Sequence, residues 1–174
     1  MSYTIYQVDA FTDELFGGNP AAVIPLKAWL PDATLQSVAM ENNLSETAYF
    51  VPMSGEADFQ LRWFTPGNEI DLCGHATLAS AFVLFNELGW AREQIRFSTQ
   101  SGILLVSNTE AGLRLDFPSR PAEEQALPEG FLNALGVQSA RFSGHARDWL
   151  IELESEAQVQ ALKPDFRTLG ELAG

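Results

Sequence analysis

Between Glu69 and Phe85 the chain reads Glu-Ile-Asp-Leu-Cys-Gly-His-Ala-Thr-Leu-Ala-Ser-Ala-Phe-Val-Leu-Phe, and no other stretch limits the fold as strongly. From Ala76 to Phe85 the only polar side chains are Thr77 and Ser80, so no solvated face of ordinary width is left. A helix that is apolar nearly all round is buried all round. The run is far shorter than the about 20 residues that cross a bilayer, so protein must bury it. Its start carries Cys73-Gly74-His75, with the chain's only cysteine and one of its two histidines. A helix buried this way brings free backbone N–H groups and a positive dipole end into the interior. That end suits an anion, with a titratable ring beside it.

The flanking segments supply the sheet to cover such a helix. Tyr3 to Ala10 alternates as a strand and Ala21 to Pro25 is a second, with the turn formers Phe16-Gly17-Gly18-Asn19-Pro20 between them. Asp32 is placed to cap a helix running to about Asn43, burying Leu35, Val38 and Ala39. Thr47 to Val51 and Phe59 to Thr65 read as further strands, and Gly89 sits where the buried helix should stop. Ile95 to Thr99, Ile103 to Ser107 and Leu113 to Phe117 form an expected antiparallel meander. The expected class is α+β: a strongly curved, mostly antiparallel, barrel-like sheet around a central buried helix, filling residues 1–118. A linker, residues 119–126, follows. Residues 127–174 then read as the incomplete start of a second domain: a helix near Pro128 to Leu135, strands near Val137 to Phe142 and Trp149 to Leu153, and a helix from Ser155. Ser155 and Gln158 fit a capping box, and Lys163-Pro164 ends that helix.

Composition removes several function classes. Apolar residues make up 46%, enough for a folded core. Lys plus Arg number 10 against 23 Asp plus Glu, for a net charge of −13. The excess is spread along the chain, and such a surface repels nucleic acid and anionic membranes, so neither is an expected partner. One cysteine excludes an internal disulfide, and one cysteine with two histidines leaves little for a soft metal site. The opening Met-Ser-Tyr-Thr-Ile-Tyr lacks the basic and apolar regions of an export signal, so a cytoplasmic protein is expected.

Few residues remain for chemistry. His75, in the first turn of the buried helix, is expected as a neutral ring because the dipole end disfavours its cation. Cys73 could be activated by the same dipole, or lie buried and inert. Glu46, where a helix gives way to a strand in Asn43-Leu44-Ser45-Glu46-Thr47-Ala48, is either an acid–base held by packing or an exposed loop glutamate. The Gly17-Gly18-Asn19-Pro20 turn could bring backbone donors to a ligand, or serve the turn alone. His145 and Asp148 read as surface residues of a polar turn. No phosphate loop, dinucleotide fingerprint or zinc spacing is present.

With those residues in hand, the chain resembles the PhzF family of phenazine-biosynthesis isomerase-like proteins. The resemblance rests on Asp9-Ala10-Phe11-Thr12, Phe16-Gly17-Gly18-Asn19-Pro20-Ala21-Ala22-Val23, Asn43-Leu44-Ser45-Glu46-Thr47-Ala48, Arg62-Trp63-Phe64-Thr65-Pro66 and Leu72-Cys73-Gly74-His75-Ala76-Thr77-Leu78-Ala79. It spans the whole chain and thins after Pro121. It implies the diaminopimelate epimerase-like fold, in which two similar halves enclose a cleft at the N-termini of their central helices. It further implies an isomerase without cofactor or metal that moves a proton on a small cyclic or aromatic-type carboxylate. Glu46 would be the acid–base and His75 the residue that positions and polarises the substrate, with Gly74, Asn19 and Cys73 in contact with it. The family continues well past this length and supplies an aspartate and a glycine–serine stretch from its second half. A homodimer or a complementing C-terminal half is therefore the expected partner, and the chain alone is expected to be incomplete as an enzyme. Two other readings stand beside this one: a cofactor-independent epimerase or racemase with Cys73 as a base, and a non-catalytic ligand-binding or dimerisation module.

Overall fold

The computed structural model describes residues 2–14 and 16–172. The chain divides into two compact units, Met1–Phe117 and Pro118–Gly174. No helix among the described residues is long and apolar enough to cross a membrane.

The first unit runs β1 (Tyr6–Ala10), β2 (Asn19–Pro25), α1 (Asp32–Asn42), β3 (Glu46–Pro52), β4 (Phe59–Phe64), β5 (Glu69–Ile70), α2 (Gly74–Phe82), β6 (Gln94–Thr99), β7 (Gly102–Thr109) and β8 (Gly112–Asp116). The strands form one sheet in the order β1-β2-β3-β4-β6-β7-β8, with β5 paired to β4. Pairing is antiparallel except for β2 with β3 and β4 with β6, so the sheet is mixed. β1 and β8 stand at opposite ends of that order, yet α2 packs against both, which requires the sheet to curl into a half-barrel around the helix. The α+β class and the central helix are as the sequence implied. β6 to β8 form the expected meander.

Parity along the strands explains why their sequences are apolar without clean alternation. Ala48, Phe50, Leu61 and Trp63 join the core around α2, while Tyr49, Val51 and Phe64 join a second core beneath α1 with Leu35 and Ala39. A strand covered on both faces has no side to leave polar.

Several boundaries differ from the sequence reading. Asn19 and Pro20 belong to β2, and the turn is confined to residues 11–18. Asp32 does not cap α1: the cap position is Pro31, and the Asp32 carboxylate instead meets Arg62 Nη1 at 2.9 Å. α2 begins at Gly74 and passes into a π turn at Val83–Glu87 before Gly89, whose φ is +69°. Its two hydroxyl side chains are spent on its own backbone, Thr77 Oγ1 donating to the Cys73 carbonyl and Ser80 Oγ to that of Ala76. Along α2, Gly74 and Leu78 are half-buried and Phe82 is exposed, while His75 to Thr77 and Ala79 to Ala81 are buried.

The second unit holds β9 (Glu123–Glu124), α3 (Phe131–Leu135), β10 (Phe142–His145), β11 (Trp149–Glu152), α4 (Glu156–Gln160) and α5 (Phe166–Leu172), with an antiparallel sheet ordered β11-β10-β9. β9 lies inside the expected linker, and β10 starts where the expected strand was to end. Ser155 caps α4 by accepting the Gln158 N–H at 3.3 Å, but Gln158 Oε1 reaches back to the Glu154 N–H at 3.0 Å instead of the cap residue. α5 is an element the sequence reading lacks; Asp165 Oδ1 accepts the Thr168 N–H at 3.2 Å and starts it, a signal readable as Asp-x-x-Thr after Pro164.

Candidate active site

The crossover from β2 through α1 to β3 makes a parallel pair in which Ala21 stands opposite Glu46. Glu46 opens β3 and shares its face with Ala48 and Phe50, the face that packs on α2. The small Ala21 side chain leaves room beside it. α2 packs against β2 and β3, and its first turn lowers His75 into that room. His75 Nε2 lies 3.1 Å from Glu46 Oε2, with side-chain exposures of 8% and 15%. Although close, neither atom sits in hydrogen-bond alignment with any partner among the described residues. Cys73 Sγ approaches the other ring nitrogen, His75 Nδ1, at 3.4 Å. Two residues 29 positions apart along the chain thus meet in the interior with polar atoms unspent.

Burial, the largest influence, pushes the His75 imidazole below its ordinary pKa, against the opposing pull of the Glu46 carboxylate and the Pro20 carbonyl. A lowered pKa favours the neutral ring, with burial as its cause in place of the helix dipole. The Cys73 thiol is pushed up to about 12, chiefly by burial, with the Ala76 backbone opposing and the Glu46 carboxylate adding to the rise. It therefore stays protonated, and the dipole does not activate it.

Gly74 and Asn19 have distinct local reasons. A Cβ at Gly74 would stand 3.1 Å from Phe117 Cε2, so the aromatic ring lies a few tenths of an ångström closer to the helix start than a larger residue would leave it. Asn19 Oδ1 accepts a hydrogen bond from Ser45 Oγ at 3.1 Å, tying the start of β2 to the residue before Glu46. Gly18 closes the turn beneath it with φ +63°, where an added Cβ would fall 2.1 Å from the Ala10 carbonyl oxygen. Asp9 Oδ2 steadies the same turn by accepting the Phe16 N–H at 3.3 Å.

His145, the other histidine, packs edge-on against Trp149 with centroids 4.8 Å apart, and Asp148 beside it is exposed. Sequence reasoning missed Trp63 Nε1, buried without a hydrogen-bond partner among the described residues on the strand next to Glu46. The fold gathers Glu46, Cys73 and His75 with one donor atom each within 4.8 Å of one another, but the carboxylate meets one ring nitrogen and the sulfur the other, so the three do not converge on one cation. A groove of about 800 Å³ runs along another flank of α2, between β1 and the β7–β8 turn, and includes neither Glu46 nor His75 in its lining.

The arrangement can hold an acid against the first-turn amides of α2 while a carboxylate and a neutral imidazole face its carbon skeleton. Known proteins resemble this chain along nearly its whole length. The pattern of the family described as "Phenazine biosynthesis-like protein" matches residues 8–173. An uncharacterized isomerase of Pseudomonas aeruginosa is 51% identical over 169 residues, covering 97% of this chain and 64% of its own length. The crystal structure of a PhzF-family phenazine biosynthesis protein from Enterococcus faecalis superposes with a TM-score of 0.86 at 48% identity, over 97% of this chain and 64% of that one. A hydroxyproline epimerase from Agrobacterium vitis, at 11% identity and a TM-score of 0.52 over 91% of this chain and 53% of that one, shares the fold alone. The chain spans just under two thirds of the length of the bacterial relatives it matches. On the half-barrel, the blocks around Glu46 and His75, and these likenesses, the chain belongs to the PhzF-like phenazine biosynthesis-like family.

Proposed function

We propose that this chain carries one wall of the active site of a cofactor-independent isomerase, in which Glu46 relocates a proton on a small cyclic or aromatic-type carboxylate. The observation that carries this reading is the buried His75–Glu46 contact of 3.1 Å with neither facing atom hydrogen-bonded. A buried polar atom left unpartnered is costly, and such atoms cluster where a ligand completes them. Glu46 takes the proton as the C–H bond breaks, the electron pair moves into the conjugated system, and the same carboxyl group returns the proton to a different carbon. The substrate carboxylate sits on the amides at Gly74 and His75, where the helix dipole offsets the charge that builds up. The neutral His75 ring orients and polarises the substrate without adding a competing positive charge. The length that the relatives have beyond this chain is the proposed source of the facing aspartate and glycine–serine groups, and of the partner that covers the site.

The Cys73-based epimerase reading has less support, since a buried thiol pushed up to about 12 offers no thiolate at neutral pH. The names of the relatives, which speak of isomerases, favour the proton-shifting reading over a non-catalytic module.

The test uses a polypeptide of the relatives' full length that carries this sequence. Glu46→Gln is expected to lower substrate-carbon exchange with solvent deuterium by about 10²–10⁴-fold, the usual worth of a general acid–base. Calorimetric binding of small aromatic carboxylates should change little, because the amides that hold the acid remain. Exchange at the unmodified rate in that variant would remove Glu46 from the mechanism.

A further inference from the structure

We propose that Cys73 is a positioning residue for His75: its S–H donates to Nδ1 and holds the imidazole as the tautomer whose Nε2–H faces Glu46 and the substrate. The two ring nitrogens meet different neighbours. Nε2 lies 3.1 Å from Glu46 Oε2, and Nδ1 lies 3.4 Å from Cys73 Sγ, a hydrogen-bond distance for sulfur. A carboxylate oxygen only accepts, so a bare Nε2 would set lone pair against lone pair at that range. The proton of the neutral ring therefore belongs on Nε2, and Nδ1 keeps the lone pair that a thiol can serve. This step rests on the proposed function, in which Glu46 waits as a carboxylate to take a proton.

The thiol is fitted to give that bond. Burial, the largest influence, pushes it up to about 12, so the sulfur keeps its proton at neutral pH. The Ala76 backbone meets the sulfur from the helix side, and Glu46 Oε2 takes no hydrogen bond among the described residues, which leaves Nδ1 as the acceptor. The Pro20 carbonyl, which also bears on the ring, is an acceptor and gives neither nitrogen a proton. Cys73 is itself held in place: it is the extended residue before α2, with φ −147° and ψ 121°, and its carbonyl accepts from Thr77 Oγ1. A working histidine is commonly set by the bond its far nitrogen makes, and a carbonyl or carboxylate there leaves the near nitrogen bare, as a base. A thiol in that place acts in the opposite sense. It gives a proton, so Nε2 keeps its own and serves as a donor that polarises the substrate, while proton abstraction falls to Glu46.

The test uses a polypeptide of the relatives' full length that carries this sequence, labelled with nitrogen-15 at histidine, with His145→Gln to assign the two rings. Couplings to the ring C–H protons tell Nδ1 from Nε2, and at neutral pH Nε2 is expected protonated and Nδ1 bare. In Cys73→Ala the Nδ1 resonance should move downfield, toward that of an unbonded ring nitrogen. Solvent-deuterium exchange into a small cyclic carboxylate that the enzyme turns over should slow by about 2–10-fold, the worth of one neutral hydrogen bond. Cys73→Ser restores a donor and should bring both readings back toward the parent. A proton on Nδ1 in the unmodified protein overturns the proposal, and that reading needs no variant to fold. So does an Nδ1 resonance unmoved in Cys73→Ala, or a Cys73→Ser variant no faster than Cys73→Ala. If deuterium exchange survives in Glu46→Gln while Nδ1 still responds to Cys73, the function reading fails and the Cys73–His75 bond stands.

Discussion

Two clusters of ionisable side chains lie on opposite faces of the same sheet, and they are built on opposite rules. On the outer face Arg62 gives Nε and Nη2 to the two oxygens of Glu69 at 2.7 and 2.6 Å, and Nη1 to Asp32 at 2.9 Å. Its guanidinium also lies over Trp29 and Phe64, 5.2 and 5.1 Å from their ring centroids. The guanidinium in turn holds the Asp32 carboxyl below its ordinary pKa. On the inner face Glu46 and His75 stand 3.1 Å apart with the facing atoms uncommitted. Both clusters take charge out of water, but only the outer one returns hydrogen bonds for it. Ionic groups with their bonding capacity filled hold a fold together, whereas groups left short of partners mark where something else is meant to bind.

That contrast is most directly broken by removing one member from each cluster. Arg62→Leu takes both guanidinium bonds from Glu69, at 22% side-chain exposure, leaves it the Gln100 Nε2 donor at 2.8 Å, and loses the stacked contacts as well. Breaking a fully buried pair costs about 3–5 kcal/mol; with this pair partly open to solvent, about 2–3 kcal/mol is expected in urea unfolding. Glu46→Gln removes a charge whose facing oxygen holds no bond, so its unfolding free energy should stay within about 0.5 kcal/mol of the parent. If Glu46→Gln were the more destabilising of the two, the inner pair would be a structural ion pair and the contrast would fail.

A smaller effect sharpens the outer side of the comparison. Tyr49 points away from the active-site face, and its hydroxyl donates to the Leu35 carbonyl at 2.7 Å, pinning α1 to β3. Tyr49→Phe should cost about 1 kcal/mol at neutral pH. Burial raises the Tyr49 phenol well above its ordinary range. The folded protein therefore keeps the proton when the unfolded chain gives it up, near pH 10. Over that interval the unfolded state binds fewer protons, so stability falls as pH climbs past about 10. Urea midpoints collected upward from neutral pH should drop more steeply in the parent than in Tyr49→Phe. Parallel curves would show that Tyr49 ionises as freely in the folded state as in the unfolded one.

How much of this is legible in the sequence depends on how local each cause is. α2 is readable because the composition of ten consecutive residues, Ala76 to Phe85, forces burial whatever surrounds it. The β6–β8 meander is readable because its turns lie within the sequence they join. By contrast, the parallel pairings of β2 with β3 and β4 with β6 depend on crossovers, and no short-range pattern announces them. Glu46 shows the same limit. Its face follows from parity with Ala48 and Phe50, but its meeting with His75 is fixed only by the β2–β3 register and the seat of α2. What singles out Glu46 in the sequence is the family resemblance of the block from Asn43 to Ala48, since its local setting fits a loop glutamate equally well. Asp32 misleads for the opposite reason: as a capping residue type it fits its local sequence, but Arg62, thirty residues on, outcompetes the cap. The cluster of Glu46, Cys73 and His75 escapes a count of cysteines and histidines because the count cannot see that one of each sits beside a glutamate.

Gly74 gives the finest division between packing and function, since both give reasons for a glycine there. A methyl group would meet the Phe117 ring at 3.1 and 3.3 Å, a few tenths of an ångström too close. Phe117 is 37% exposed and lies just past the end of β8, so the ring can swing outward at small cost. Replacing a helical glycine by alanine contributes up to about 1 kcal/mol in the other direction. The two nearly cancel, and Gly74→Ala is expected to shift unfolding free energy by less than about 1 kcal/mol. The same methyl narrows the approach to the leading amides of α2, where the substrate carboxylate is proposed to sit. In the full-length enzyme KM should therefore rise by about tenfold with kcat little altered, the pattern of lost ground-state binding. If stability fell by much more than this while KM held, Gly74 would be kept for the Phe117 contact, and the helix end would join the outer, structural cluster in kind.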